Sequence, residues 1–146
     1  MLFQVRDLHV SYGNIRAVRG VSFEVDQGEI VTLIGANGAG KSTILNTIAG
    51  LQAPDNGTIT YQGEQIAGIP AHKIVERGMV LVPEGRRIFG NLSVYENLRL
   101  AGFRLDESVL KQRLSDALAR FPQLESRQHQ RADTLSGGEQ QMLAVG

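Results

Sequence analysis

An α/β fold built around a strand–loop–helix unit is predicted by three observations. Short apolar runs broken by turn residues make the first ninety residues β-rich. The string Gly35-Ala36-Asn37-Gly38-Ala39-Gly40-Lys41-Ser42 lies between a continuous apolar run and a helical pattern, and residues 91–134 carry helical periodicity throughout. Length agrees, since 146 residues suit one domain able to bury roughly 70% of the surface its unfolded chain exposes.

The elements follow in chain order. Phe3, Val5, Leu8 and Val10 alternate with one break, the mark of a bulged or edge strand. Val21, Phe23 and Val25 alternate cleanly and predict a half-buried strand ending in the turn Asp26-Gln27-Gly28. Ile30, Val31, Thr32, Leu33 and Ile34 are apolar or β-branched without alternation, which predicts a strand covered on both faces in a parallel sheet. Residues 42–49 are predicted helical, with Ile44, Leu45 and Ile48 on one face and Gly50 as the stop.

Pro54-Asp55-Asn56-Gly57 is a turn, residues 58–61 a short strand, and Gln62-Gly63 the next turn. Residues 70–76 predict a short helix with Pro70 at its first position, and residues 79–82 a second continuous apolar strand closed by Pro83. Ser93 with Glu96 three residues on is a capping box for a helix over residues 94–101, stopped by Gly102. Leu110, Leu114, Ala117, Leu118 and Phe121 recur at helical spacing, so residues 107–121 form an amphipathic helix with Asp106 as a candidate N-cap. From Leu135 the chain turns toward one further helix.

Composition excludes several function classes. Fifteen basic and fifteen acidic side chains cancel, so no global field favours nucleic acid or an anionic membrane surface, and any anion has to be bound locally. Without cysteine there is neither a disulfide nor thiolate chemistry. No apolar run approaches a membrane span or a signal-peptide core, which predicts a soluble, cytoplasmic chain. An Asn-Lys-x-Asp base-reading motif is absent, which disfavours a signalling GTPase.

The glycine string matches G-x-x-x-x-G-K-[ST] in the context its mechanism needs, between a strand and a helix. Glycines let successive backbone N–H groups turn around a phosphate, and the helix end adds its free amides and positive dipole. Lys41 is the cation for the β- and γ-phosphates of a nucleotide, and Ser42 is placed to ligate Mg²⁺ through its hydroxyl. Gly35, Ala36, Asn37, Gly38, Ala39, Gly40, Lys41, Ser42 and Thr43 are thus the candidate nucleotide-binding residues.

About a hundred residues later stands Leu135-Ser136-Gly137-Gly138-Glu139-Gln140-Gln141, again a hydroxyl and glycine amides at a helix start near Glu139. Together with the phosphate loop this string resembles the signature of the ATP-binding-cassette (ABC) family, and the resemblance covers essentially the whole chain. It implies a P-loop NTPase core of ABC type with an antiparallel β subdomain and an α-helical subdomain. Residues 1–90 would be nucleotide-binding core and β subdomain, 91–134 the helical subdomain, and 135–146 the signature with the start of its helix.

Further roles come from the resemblance alone. Leu135, Ser136, Gly137, Gly138 and Glu139 would cap the ATP held by a second cassette, so a second ABC ATPase domain is an implied partner. Tyr12, in Ser11-Tyr12-Gly13-Asn14, would stack on adenine, and Val18 would pack near the ribose or base. Glu84, in Leu81-Val82-Pro83-Glu84-Gly85-Arg86, occupies the position of the family's Q-loop glutamine, where it implies a Mg²⁺ ligand near the attacking water. For Arg86 and Arg87 a solvated loop and a partner contact stand side by side.

The Pro-Glu-Gly-Arg string, Ile88-Phe89, Leu92-Ser93-Val94-Tyr95-Glu96-Asn97-Leu98 and Asn14-Ile15-Arg16-Ala17-Val18 look like the ATP-binding subunits of branched-chain amino-acid importers. That implies ATP and Mg²⁺ as cofactors, hydrolysis coupled to import, membrane permease subunits as partners, no nucleic acid, and a place on the inner face of the cell membrane. Two other classes remain, a nucleotide-binding module without turnover and a soluble non-transport ABC ATPase. The family's Walker B Asp-Glu pair and switch histidine follow the signature and have no counterpart in these 146 residues. Asp106-Glu107 precedes the signature, as do His9, His72 and His129. The C-terminal part of the core is therefore expected to be absent, and the chain alone to be inactive or nearly so as an ATP hydrolase.

Overall fold

Phe3–Tyr12 (β1) and Ile15–Val25 (β2) form an antiparallel hairpin joined at Gly13, where φ is 58°. On its other side β1 pairs with Asn56–Tyr61 (β3), and Glu64–Gln65 (β4) extends the edge, giving an antiparallel sheet in the order β2-β1-β3-β4. β1 is therefore internal, and the break in its alternation is a bulge. Register slips between Val5 and Leu8 against β2 and between Arg6 and His9 against β3, with Asp7 at φ 47°. The extra residue turns Leu8 back to the face of Val5, and Val5, Leu8 and Val10 are all fully buried. Gly57 passes this bulge so closely that a Cβ there would stand 2.5 Å from the Asp7 carbonyl oxygen.

A computed structural model describes residues 1–146, which divide into two compact units, Met1–Leu81 and Val82–Gly146. The first packs its sheet against Ile44 of the helix Lys41–Ile48 (α1), Ile66, and Ile74 of the helix Ala71–Glu76 (α2). Pro70 takes the N-cap of α2 instead of its first turn.

Two sequence expectations are corrected in this region. Neither residues 30–34 nor residues 79–82 join a sheet; both are irregular, with Ile30 94%, Ile34 92% and Val80 72% exposed. A continuous apolar run signals burial on both faces, and that requires flanking strands. None of the four antiparallel strands pairs with either run.

The second unit is helical. Val94–Ala101 (α3) starts at the expected capping box: Ser93 Oγ accepts from Glu96 N, and Glu96 Oε2 accepts from Ser93 N at 2.7 Å. Glu107–Arg120 (α4), Pro122–Glu125 (α5), a 3₁₀ turn at Ala132–Thr134 and Gly137–Val145 (α6) follow. Asp106 occupies the N-cap position of α4 without a side-chain bond to it. Val94, Leu98, Leu110, Leu114, Leu124, Ala132, Leu135 and Leu143 form the unit's core. No helix is long and apolar enough to cross a membrane.

Candidate functional site

Residues 35–40 arch from the irregular segment into α1. Gly38 and Gly40 lie at φ 83° and 90°, in the left-handed region, and Ala39 N donates to Ala36 O at 3.1 Å. Gly40 is buried against β2, where a Cβ would stand 2.5 Å from Ala17 O and 3.3 Å from Val18 Cγ2. Only glycine lets the loop pass that strand and enter the helix at this angle. α1 has no side-chain cap and no acidic residue of its own in the first turn, so its amide dipoles are not offset from within the helix.

Lys41, the first helical residue, folds back over the loop and donates through Nζ to Gly35 O at 2.7 Å and Ala36 O at 2.8 Å. Ser42 and Thr43 complete the first turn, and Thr47 Oγ1 donates to Thr43 O from the buried side. An ammonium, helix amides and a glycine arch within eight residues make a place for a polyanion. Tyr12 stands at the tip of β1, 46% exposed. Val18 is buried under the loop and buttresses Gly40.

The second unit carries the other motif. Ser136 is the N-cap of α6, which begins at Gly137, two residues earlier than expected. Its Oγ accepts from Glu139 N at 3.3 Å and its N–H donates to Glu139 Oε2 at 2.8 Å. Arg127 Nε forms an ion pair with Glu139 Oε1 at 3.0 Å. The Ser136 hydroxyl foremost, then its N–H, with a smaller contribution from Arg127, hold the Glu139 carboxyl below the usual range. Leu135 is buried and anchors the segment leading into the cap, while Gly137 and Gly138 are exposed.

Glu84 is exposed in the turn after Pro83, closed by Arg86 N donating to Pro83 O at 3.2 Å. The contact between Arg86 and Gln140 escaped sequence reasoning. Arg86 Nη1 donates to Gln140 Oε1 at 2.9 Å, and Gln140 Nε2 donates to Ala132 O and Leu135 O at 3.2 and 3.3 Å. Arg86 and Gln140 are 54 residues apart, and nothing in either position's local pattern signals the pairing. The role of Asn97 escaped it too: its amide accepts from Phe89 N and donates to Phe89 O and Ser93 O, holding the loop before α3. No group of three or more His, Cys, Asp or Glu gathers anywhere in the chain. A hard divalent ion would therefore draw much of its oxygen shell from phosphates and water.

The sequence pattern of the family described as ABC transporter matches residues 18–146. The chain is 51% identical over 135 residues to the high-affinity branched-chain amino acid transport ATP-binding protein BraG of Pseudomonas aeruginosa, covering 92% of this chain and 58% of that protein. It is 36% identical over 138 residues to the probable branched-chain amino acid transport ATP-binding protein LivF of Archaeoglobus fulgidus, covering 94% and 58%. Among solved structures, an ATP binding subunit of an ABC transporter superposes with a TM-score of 0.83 at 35% identity, over 99% of this chain and 60% of that one. A dimeric ATP-binding cassette in a post-hydrolysis state with ADP and Pi shares the fold, with a TM-score of 0.82 at 22% identity, over 99% and 67%. The chain thus spans less than three fifths of the length of the two curated relatives named.

Proposed function

The chain belongs to the ABC transporter family, and from that premise we propose that residues 35–43 bind the phosphates of ATP or ADP. Lys41 carries the proposal: an ammonium parked on two loop carbonyls, at the mouth of a helix end lacking an acidic residue, can exchange those carbonyls for phosphate oxygens. Tyr12, exposed at the tip of β1, supplies a ring face for adenine. The Ser42 hydroxyl, in the first turn of α1, is a proposed ligand of Mg²⁺, and the Glu84 carboxylate is proposed as another from its position in the sequence alone. When bound, that ion neutralises phosphate charge and fixes the γ-phosphate for attack.

Residues 135–139 present the exposed amides of Gly137 and Gly138 with the Ser136 hydroxyl to the nucleotide of a second cassette. Similarity to BraG and LivF supports an importer ATPase for branched-chain amino acids as the activity of the whole protein. The docking face for its permease is assigned to residues 91–134 and the loop from Glu84. There Phe89, Leu100, Phe103 and Leu105 remain exposed. Crosslinks from that face to a membrane partner support the assignment, and crosslinks confined to residues 58–68 count against it.

The phosphate site is tested by titrating ATP calorimetrically into the protein and its Lys41→Ala variant. Loss of one charge-assisted contact to phosphate lowers affinity by about tenfold or more. Equal affinity before and after the change refutes the assignment.

A further inference from the structure

Gly85, Arg86 and Arg87 stand consecutively in the left-handed region, at φ 76°, 63° and 49°. Glycine adopts this freely, but two arginines in succession do not, and such backbone persists only where surrounding contacts over-determine it. The contact here is the Arg86 side chain. Its guanidinium donates to Gln140 Oε1 in the first turns of α6 and flanks Gly137, where a Cβ would stand 3.2 Å from Nη2. The other end of the Gln140 amide donates to Ala132 O and Leu135 O, the carbonyls leading into Ser136. Every polar atom of that amide is therefore committed, with the oxygen toward Arg86 and the nitrogen toward the backbone.

We propose that Arg86 is a positioning residue for the Ser136-Gly137-Gly138 loop. Through Gln140 it fixes the orientation in which the two glycine amides are offered to a nucleotide held by a second cassette. This rests on the reading of residues 135–139 given above. A consequence follows from the chain itself: Glu84 lies two residues before Arg86 in the same hydrogen-bonded turn. Whatever displaces that turn either drags the start of α6 or breaks the link, so the environment of Glu84 is coupled to the amides of Gly137 and Gly138.

The test uses the intact protein with its partner cassette and the variants Arg86→Gln, Gln140→Ala, their double, and Arg86→Lys. Hydrogen exchange of the Glu139 amide, which donates to Ser136 Oγ, measured without nucleotide, is expected to quicken about tenfold in each single variant, the loss of one charge-assisted hydrogen bond. The double variant should exchange no faster than the singles. With ATP, kcat should fall by a similar factor while KM and ATP affinity at the Lys41 site stay within about twofold, and Arg86→Lys should recover part of the loss.

Unchanged exchange, or single losses that multiply to about a hundredfold in the double, overturns the link. So does a parallel fall in ATP affinity and melting temperature, which is the mark of a merely structural residue. Because the exchange measurement needs no nucleotide, its failure is separate from failure of the Lys41 test. Absence of ATP binding in the unaltered protein removes the cassette reading and, with it, the functional role of Arg86.

Discussion

Replacing Gly40 by alanine separates two costs that glycine avoids in the phosphate loop. The first is conformational: at φ 90° an L side chain is disfavoured by about 1–2 kcal/mol. The second is steric, because the new Cβ would lie 2.5 Å from Ala17 O, a backbone atom of β2 that cannot swing aside. Relieving such overpacking costs about 1–3 kcal/mol. Gly38 is the control, since at φ 83° it bears a similar conformational cost but has nothing within 4 Å of its would-be Cβ.

Urea unfolding of the intact protein should therefore show Gly38→Ala destabilised by about 1–2 kcal/mol. Gly40→Ala should lose about 1–3 kcal/mol more, a midpoint difference on the order of 1 M. Calorimetry should show the larger loss of ATP affinity in Gly40→Ala as well, because the loop can relieve the clash only by leaving β2. Equal effects of the two variants, or a neutral Gly40→Ala, would refute the placement of the loop against Ala17 and Val18.

Three further outcomes are expected. Ser93→Ala removes the N-cap of α3 and should lower stability by about 1 kcal/mol in thermal melting, whereas Ser93→Thr, which keeps the hydroxyl that serves both Glu96 N and the Glu96 carboxylate, should lose less. Glu96 and Glu139 both titrate below the ordinary carboxylate range because Ser93 and Ser136 hydrogen-bond their charged forms. Their contribution is therefore fully present above the unfolded pKa and lost as pH falls through the lowered folded one. Amide exchange at the first turns of α3 and α6 should rise below about pH 4.5, and Glu139→Gln should abolish that acid step in α6.

What was legible in the sequence is what local chemistry decides. The Ser93–Glu96 capping box, the Gly102 stop, the helix over residues 107–120 and the glycine arch with Lys41 are set by residues within one or two turns of each other. The alternation break in β1 was legible as a bulge but left its place in the sheet open, since an internal strand and an edge strand share that pattern until partners are known. Val18 shows the same limit: its place beneath Gly40 depends on where β2 meets the loop. Arg86 and Gln140 were out of reach because their bond closes 54 residues of chain, and neither residue type is unusual where it stands.

The two apolar runs are the clearest disagreement between pattern and structure, and they support a last prediction. Residues 30–34 and 79–82 read as strands meant for two covered faces, yet Ile30, Val31, Ile34 and Val80 remain exposed. Burying a wholly exposed side chain of this kind is worth about 1.5–3 kcal/mol, so burying what remains exposed of the four would contribute on the order of 4–9 kcal/mol. That is comparable to the whole stability of a typical domain. These four side chains find no cover within residues 1–146, so a polypeptide of just these residues should be marginally stable and seek cover by self-association.

The same polypeptide should also leave hydrolysis incomplete. Attack on a γ-phosphate needs an oriented water and charge stabilisation in a closed site, and the residues proposed above to meet the nucleotide's phosphates and metal within one chain are few, chiefly Lys41, Ser42 and Glu84. Size-exclusion chromatography with light scattering should show concentration-dependent oligomers, reduced by Ile34→Lys, while steady-state phosphate release stays near background. Extending the polypeptide through further family strands should restore both the monomer and the turnover. A monodisperse, cooperatively unfolding monomer of residues 1–146 that releases phosphate in a Lys41-dependent manner would show that the exposed runs need no cover and that the residues present suffice for chemistry.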